Sequence, residues 1–217
     1  VERPEVFLRV TGRFISLEGG EGAGKSTQIA ALAEALEGRG IAVVRTREPG
    51  GSAGAEAIRA LLLTGEDERW TAQAEALLFA AARADHVART IRPALDRGAW
   101  VISDRFLDSS RAYQGGASGL SDADILSLHR IGSGGLLPDR TLVLTLPEAE
   151  AVARASLRDG GAPDRIGARD PAFHARVADA FTAYAAQEPE RVRLVDATGT
   201  AAEVTARLMT ALSDLLP

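Results

Sequence analysis

The 217 residues include no cysteine, which excludes disulfide bridges and thiolate metal sites and fits a reducing, cytoplasmic setting. No apolar run approaches the roughly 20 residues that cross a bilayer, so no membrane partner is expected. Glu2, Arg3, Glu5 and Arg9 break up any apolar core of a signal peptide. Residues 1–12 read as a loose arm ahead of a single domain at 13–217. There is no excess of positive charge either. The formal net charge is −5, so nucleic acid is not an expected partner, and a nucleotide would have to be gripped by local charge. Internal repeats and Gly/Ser/Pro-rich linkers are also missing. The remaining composition, 46% hydrophobic and 25% charged, is that of a globular chain long enough for a full core.

Lysine is the scarcest cation. Lys and Arg together number 25, and a single one of them, Lys25, is a lysine. Wherever else positive charge was needed, the chain uses arginine. An ammonium is a compact point charge on a flexible stem, unlike the planar guanidinium fork, so the place where it is kept is informative.

Short β-rich runs alternate with helical patterns along the whole chain. The expected strands are 14–17, 41–44, 100–103, 142–144 and 192–195, several of them nearly continuous apolar runs, as in parallel strands buried on both faces. Ile29, Leu32, Ala33 and Leu36 recur at helical spacing, and Gly38 and Gly40 end that helix. Leu77, Leu78, Ala81 and Ala82 mark a further helical stripe, with Pro93 near the end of its region. A last helix is expected over about 202–215. The alternation predicts an α/β fold of the P-loop NTPase type, three layers around a five-stranded parallel sheet.

After the first strand comes Gly19-Gly20-Glu21-Gly22-Ala23-Gly24-Lys25-Ser26, a full match to G-x-x-x-x-G-K-[ST] between an expected strand and an expected helix. Glycines let backbone N–H groups turn inward around phosphates, and the helix N-terminus adds a favourable dipole. Lys25 would reach the β- and γ-phosphates of ATP. The Ser26 hydroxyl would hold Mg²⁺, with Asp104 as a second candidate metal ligand and Thr27 completing the nucleotide-binding run. A glycine-rich turn with no ligand would explain neither the lone lysine nor the serine after it.

Thr46-Arg47-Glu48-Pro49-Gly50-Gly51, then Asp104-Arg105-Phe106 followed by Ser109 to Gly115, resemble bacterial thymidylate kinases. So do Leu77 to His86, Leu137-Pro138-Asp139 and Asp164-Arg165-Ile166. These segments stand in the family's order and cover nearly the whole chain. The resemblance implies transfer of a phosphoryl group from ATP to dTMP by a homodimer. It makes Arg105 the grip on the acceptor phosphate, a task that suits a guanidinium, although an ion pair with Asp104 is the plain alternative. It makes Phe79 a base-stacking ring, with core packing as the rival. Arg83, one turn further along the same helix face, becomes a donor to a thymine carbonyl, and Ser109 and Gln114 lie near the base. The resemblance also implies that Tyr113 crowds the sugar 2′ position and that Glu18 lies near the acceptor sugar and magnesium, where as a residue alone it could merely end a strand. Arg47, Glu48 and Pro49 join the acceptor-phosphate site by resemblance, while as residues alone they read equally as a charged turn. Arg59 either reaches that phosphate or lies on a helix surface.

Phosphoryl transfer needs positive charge around the moving group. Residues 20–23 contain no arginine, so the resemblance is to the class that supplies one from a mobile lid near 154–170. Arg154, Arg158, Arg165 and Arg169 surround Gly160-Gly161 there, with Arg158 and Arg165 the leading candidates and a solvated basic loop the alternative. Gly167 and Thr145 depart from the glutamate and aspartate the family often carries. Two other readings remain: a kinase for a different monophosphate or for a nucleoside, and a non-catalytic nucleotide-binding module.

Overall fold

The computed structural model describes residues 12–66, 69–147, 149–151, 153–154 and 164–217. Its sheet is built around Phe14–Gly19 (β1), in which all six residues are buried. β1 is paired in parallel with Trp100–Asp104 (β3) on one side and Arg140–Thr145 (β4) on the other. Val43–Arg47 (β2) lies outside β3 and Val192–Asp196 (β5) outside β4, giving the order β2-β3-β1-β4-β5. The five parallel strands were expected.

β2 begins two residues later than expected and runs on through Arg45, Thr46 and Arg47. As an edge strand it exposes alternate residues to solvent, so its polar end belongs to the strand as much as its valines do. In the register, Leu17 and Arg47 both lie opposite Asp104. The carboxyl ends of β1, β2 and β3 are therefore level, and the loops that leave them meet.

Side chains alternate across β1. Ile15 and Leu17 face a cluster with Leu32 and Leu36 of Lys25–Glu37 (α1) and Leu208 of Ala201–Ala211 (the last helix, α8). Phe14 faces the other layer with Phe106, Leu107 and Ile91; Ser16 and Glu18 point the same way as Phe14. That second layer holds Ala53–Leu63 (α2), Ala72–His86 (α3), Arg92–Asp96 (α4), Leu107–Ser110 (α5) and Asp122–Ser133 (α6). Pro171–Gln187 (α7) packs through Phe173, Val177 and Phe181 against Ala112 and Tyr113 of the π-helical segment Arg111–Ala117 that continues α5. Pro93 does not stop the helical run, because α3 passes through a π-helical turn at Val87–Ile91 into α4. A wider turn of this kind accommodates a local break in the i→i−4 ladder. α8 starts from a Thr200/Glu203 capping box and stops at Ala211, short of the expected end.

Candidate active site

Gly19 closes β1 at φ +131°, and Gly22 and Gly24 also lie at positive φ. The chain turns there as only glycine does without strain. A Cβ on Gly19 would also come within 2.6 Å of the Leu144 carbonyl oxygen. α1 then starts at Lys25 with no side-chain cap, whereas Ser52, Thr71, Ser121, Asp170 and Thr200 cap α2, α3, α6, α7 and α8. Uncapped N–H groups at a helix start are an anion site. Lys25 Nζ donates to the carbonyls of Gly19 and Gly20, each at 3.0 Å. Burial, and after it the nearby Arg105, lowers its pKa to about 8.

Beside this loop opens a cavity of about 400 Å³. Of the residues singled out from sequence, Glu21 to Thr27, Arg47, Glu48, Pro49, Arg59, Phe79, Arg83, Asp104, Arg105, Ser109, Tyr113 and Gln114 line it. Gly19, Gly20, Glu18 and Arg165 do not, and Arg158 lies outside the described residues.

Arg105, just past β3, is the only non-glycine at positive φ among the described residues, at +66°, a conformation that costs on the order of 1 kcal/mol. Its N–H donates to Leu17 O at 2.9 Å. The guanidinium reaches Ser109 Oγ at 3.1 Å and Glu21 Oε1 at 2.9 Å, and its carbon lies 5.0 Å above the Tyr113 ring. Its ion-pair partner across the cavity is thus Glu21, not Asp104.

Glu18, expected near the acceptor sugar and magnesium, is fully buried and does not itself line the cavity. Its carboxyl accepts from Ser16 Oγ and the Phe106 N–H, both at 2.8 Å, and lies 2.5 Å from Ser109 Oγ. It acts on the site through the Arg105 turn. Burial and the neighbouring Asp108 push its pKa up to about 7, against the opposing pull of Ser109, Arg105 and Ser16.

Glu48 lines the cavity as well, and its carboxylate is buried between Arg83 Nε (2.7 Å) and His86 Nδ1 (2.9 Å). Arg83 is further held by Nη2 donating to Phe106 O at 3.1 Å and Ser110 Oγ at 2.8 Å. Arg47 pairs with Glu56 at the rim, and Arg59 donates to Pro49 O at 2.7 Å. Phe79 packs against the Tyr113–Phe173 cluster and also lines the cavity.

Arg165 is buried and directed at Glu75, at 2.5 Å, with Nε on Leu62 O. Glu75 also receives Arg169 and Gln114. Glu75 and Ser110 were not anticipated. Glu75 stands four residues before Phe79 and eight before Arg83, so extending the helix face by one turn finds it.

Ser26 Oγ lies 3.4 Å from Asp104 Oδ2, and Asp104 Oδ1 is buried without a hydrogen-bond partner among the described residues. A hydroxyl beside a carboxylate with an unused oxygen suits Mg²⁺, which takes one or two carboxylates and keeps most of its waters. A second cavity, about 430 Å³, shares Gly22, Ala23, Gly24 and Thr27 with the first and continues past Gln28, Arg154 and Gly199. Arg154, expected only as a lid residue, donates to Ala197 O there at 3.2 Å.

A parallel sheet with a glycine loop at its switch point, a lysine at the first position of the uncapped helix that follows, and a cavity on either side defines a P-loop nucleotide kinase. Residues 17–208 match the family model described as Thymidylate kinase. A thymidylate kinase of Rhizorhabdus wittichii is 65% identical over 206 residues, covering 95% of this chain and 99% of that protein. One from a Bradyrhizobium species is 52% identical over 195 residues, covering 89% of this chain and 86% of the relative. Among solved structures, the thymidylate kinase of Ehrlichia chaffeensis superposes with a TM-score of 0.75 at 30% identity, covering 93% and 98% of the two chains. The chain belongs to the thymidylate kinase family, the nucleoside monophosphate kinases that phosphorylate dTMP.

Glu18 leads to a prediction about pH. The unfolded chain loses the Glu18 proton near pH 4.5, whereas the folded chain keeps it to about 7. Between those values the unfolded state binds fewer protons, so this group makes stability fall as pH rises. The loss is on the order of 2–3 kcal/mol by pH 7. Urea denaturation of wild type and Glu18→Gln from pH 4.5 to 7.5 is expected to show a shallower decline in the variant; parallel curves would refute the assignment.

Proposed function

We propose that the chain transfers the terminal phosphoryl group of ATP to dTMP in the cytoplasm, that Mg²⁺ is held at Ser26 and Asp104, and that the active form is a homodimer. The observation that carries this reading is the meeting of two cavities at one uncapped helix start. The reading extends the domain over residues 13–217 and places the donor base in the cavity beside Arg154 and the acceptor in the cavity beside Arg105. Lys25 and the N–H groups of the loop hold the donor phosphates. Bound Mg²⁺ supplies charge neutralisation between them.

Arg105, with Arg59 and Arg47 nearby, grips the acceptor phosphate. Phe79 stacks on the base, Arg83 donates to its O4, and Tyr113 closes the space a 2′-hydroxyl would need. An acceptor phosphate is already anionic, so positioning and charge, rather than a strong base, lower the barrier. With Arg165 turned toward Glu75, Arg158 is the lid arginine we assign to the moving group. The large exposed side chains of Leu77 on α3 and Ile131 on α6 support a dimer face, because these two helices pack together where Gly132 meets Ala84.

Two measurements test this reading. Lys25→Arg is expected to lower kcat by at least about 10³-fold despite the chain's general use of arginine, because a planar fork cannot sit among the Gly19 and Gly20 carbonyls as an ammonium does. Turnover near wild type would make the single lysine an accident of composition. Across acceptors, kcat/KM should fall in the order dTMP, dUMP, dCMP. The lost methyl costs about 1–3 kcal/mol, and the amino group of cytosine leaves a charged donor facing a donor, a larger penalty. Equal use of dCMP and dTMP would favour a general pyrimidine kinase.

A further inference from the structure

We infer that His86 is a positioning residue for acceptor selectivity: through Glu48 it sets the aim of the Arg83 guanidinium at the base. The inference rests on the proposed role of Arg83 and concerns a side chain that does not itself line the cavity.

His86 ends α3 and is fully buried. Its Nδ1 lies 2.9 Å from Glu48 Oε1, and its Nε2 lies 2.6 Å from Thr46 Oγ1. A carboxylate paired with arginine only accepts, so Nδ1 carries a proton. In the neutral ring Nε2 then accepts from the Thr46 hydroxyl. The ring cannot rotate without losing both bonds, and a side chain on Gly51 would collide with His86 and Thr46. The glycine of this turn is thus required by the close approach of the imidazole.

The consequence reaches Arg83 in one step. With Oε1 occupied by His86, Glu48 offers Arg83 a single oxygen, and that oxygen takes Nε. Nη2 is taken by Phe106 O and Ser110 Oγ. These bonds leave Nη1 as the nitrogen not engaged by them, on a guanidinium that lines the cavity. A donor pinned on two edges rewards a base with a carbonyl oxygen in front of it and penalises one with an amino group. Without the imidazole bond, Glu48 Oε1 becomes a buried acceptor lacking its partner, and a carboxylate favours the two-pronged grip on a guanidinium. It would rotate to take a second arginine nitrogen, turning Nη1 away and relaxing the choice between keto and amino bases.

The test compares two amides with opposite reach. His86→Asn places its amide nitrogen near the position of Nδ1 and can still donate to Glu48, whereas His86→Gln places it near Nε2. Steady-state kinetics with dTMP and dCMP should show His86→Gln raising KM for dTMP about tenfold with kcat changed less than threefold. The dTMP-to-dCMP ratio of kcat/KM should narrow about tenfold. His86→Asn should keep that ratio within threefold of wild type. An unchanged ratio in His86→Gln, or equal behaviour of the two amides, overturns the inference.

If His86→Gln does not fold, Thr46→Val takes its place. It removes the hydroxyl that fixes Nε2 while keeping the side-chain shape, and is expected to narrow the ratio about threefold; no change there overturns the inference equally. Arg83→Lys separates the two levels of argument. If it leaves the ratio at the wild-type value, the base-reading role of Arg83 fails. If it collapses the ratio while the His86 variants do not, the inference about His86 alone fails.

Discussion

The geometry of the site depends on one buried carboxyl group. Glu18 sits at the end of the central strand, immediately before the glycine loop, and accepts from the backbone of Phe106 two residues past β3. Loop and Arg105 turn are thereby fixed to each other by a hydrogen bond between side chain and main chain, inside a fully enclosed environment. The strained backbone of Arg105 is tolerable because Leu17 O, Glu18 and Ser109 over-determine it. Behind Glu18, Asp108 is held by two bonds from Arg191, one from Arg111 and one from Thr141. That network keeps a second negative charge close by, and this charge, together with burial, favours the protonated form of Glu18. The opposing pull comes from Ser109, whose hydroxyl receives a bond from Arg105 and donates its own proton to Glu18.

How far the sequence could be read follows from the range of each interaction. The phosphate loop was legible because its requirements are local: glycines at positive φ, a lysine at the first helical position, and no cap. The helix face of α3 was half legible. Phe79 and Arg83 stand one turn apart; the same four-residue spacing continued backward reaches Glu75, and a three-residue step forward on that face reaches His86. What the spacing could not give is the partner of each residue. Glu48 carries the same charge and lies in the same turn whether it faces a phosphate or an arginine. The choice is made by β2 lying level with β3, which brings the turn against the end of α3. Arg165 is a similar case, since an arginine in a glycine-flanked segment reads as a lid cation, or as a solvated one, until α3 supplies a buried acid.

The contrast between arginine and lysine runs through the whole molecule. Arg83, Arg111, Arg140 and Arg165 are all buried, and each uses several nitrogens. Arg111 alone reaches Asp108, Asp122 and Glu188. A guanidinium suits such places because its five donors are spread in a plane and its hydration is weak. At the phosphate loop the demands are reversed. The cation there lies within 3.0 Å of two carbonyls of its own loop, in a space shaped by glycines. A single ammonium with rotatable donors can turn from those carbonyls toward a phosphate without rearranging its stem. A planar fork of fixed geometry would have to displace the loop to do the same. The restriction of lysine to this one position is therefore a packing constraint as well as an electrostatic one.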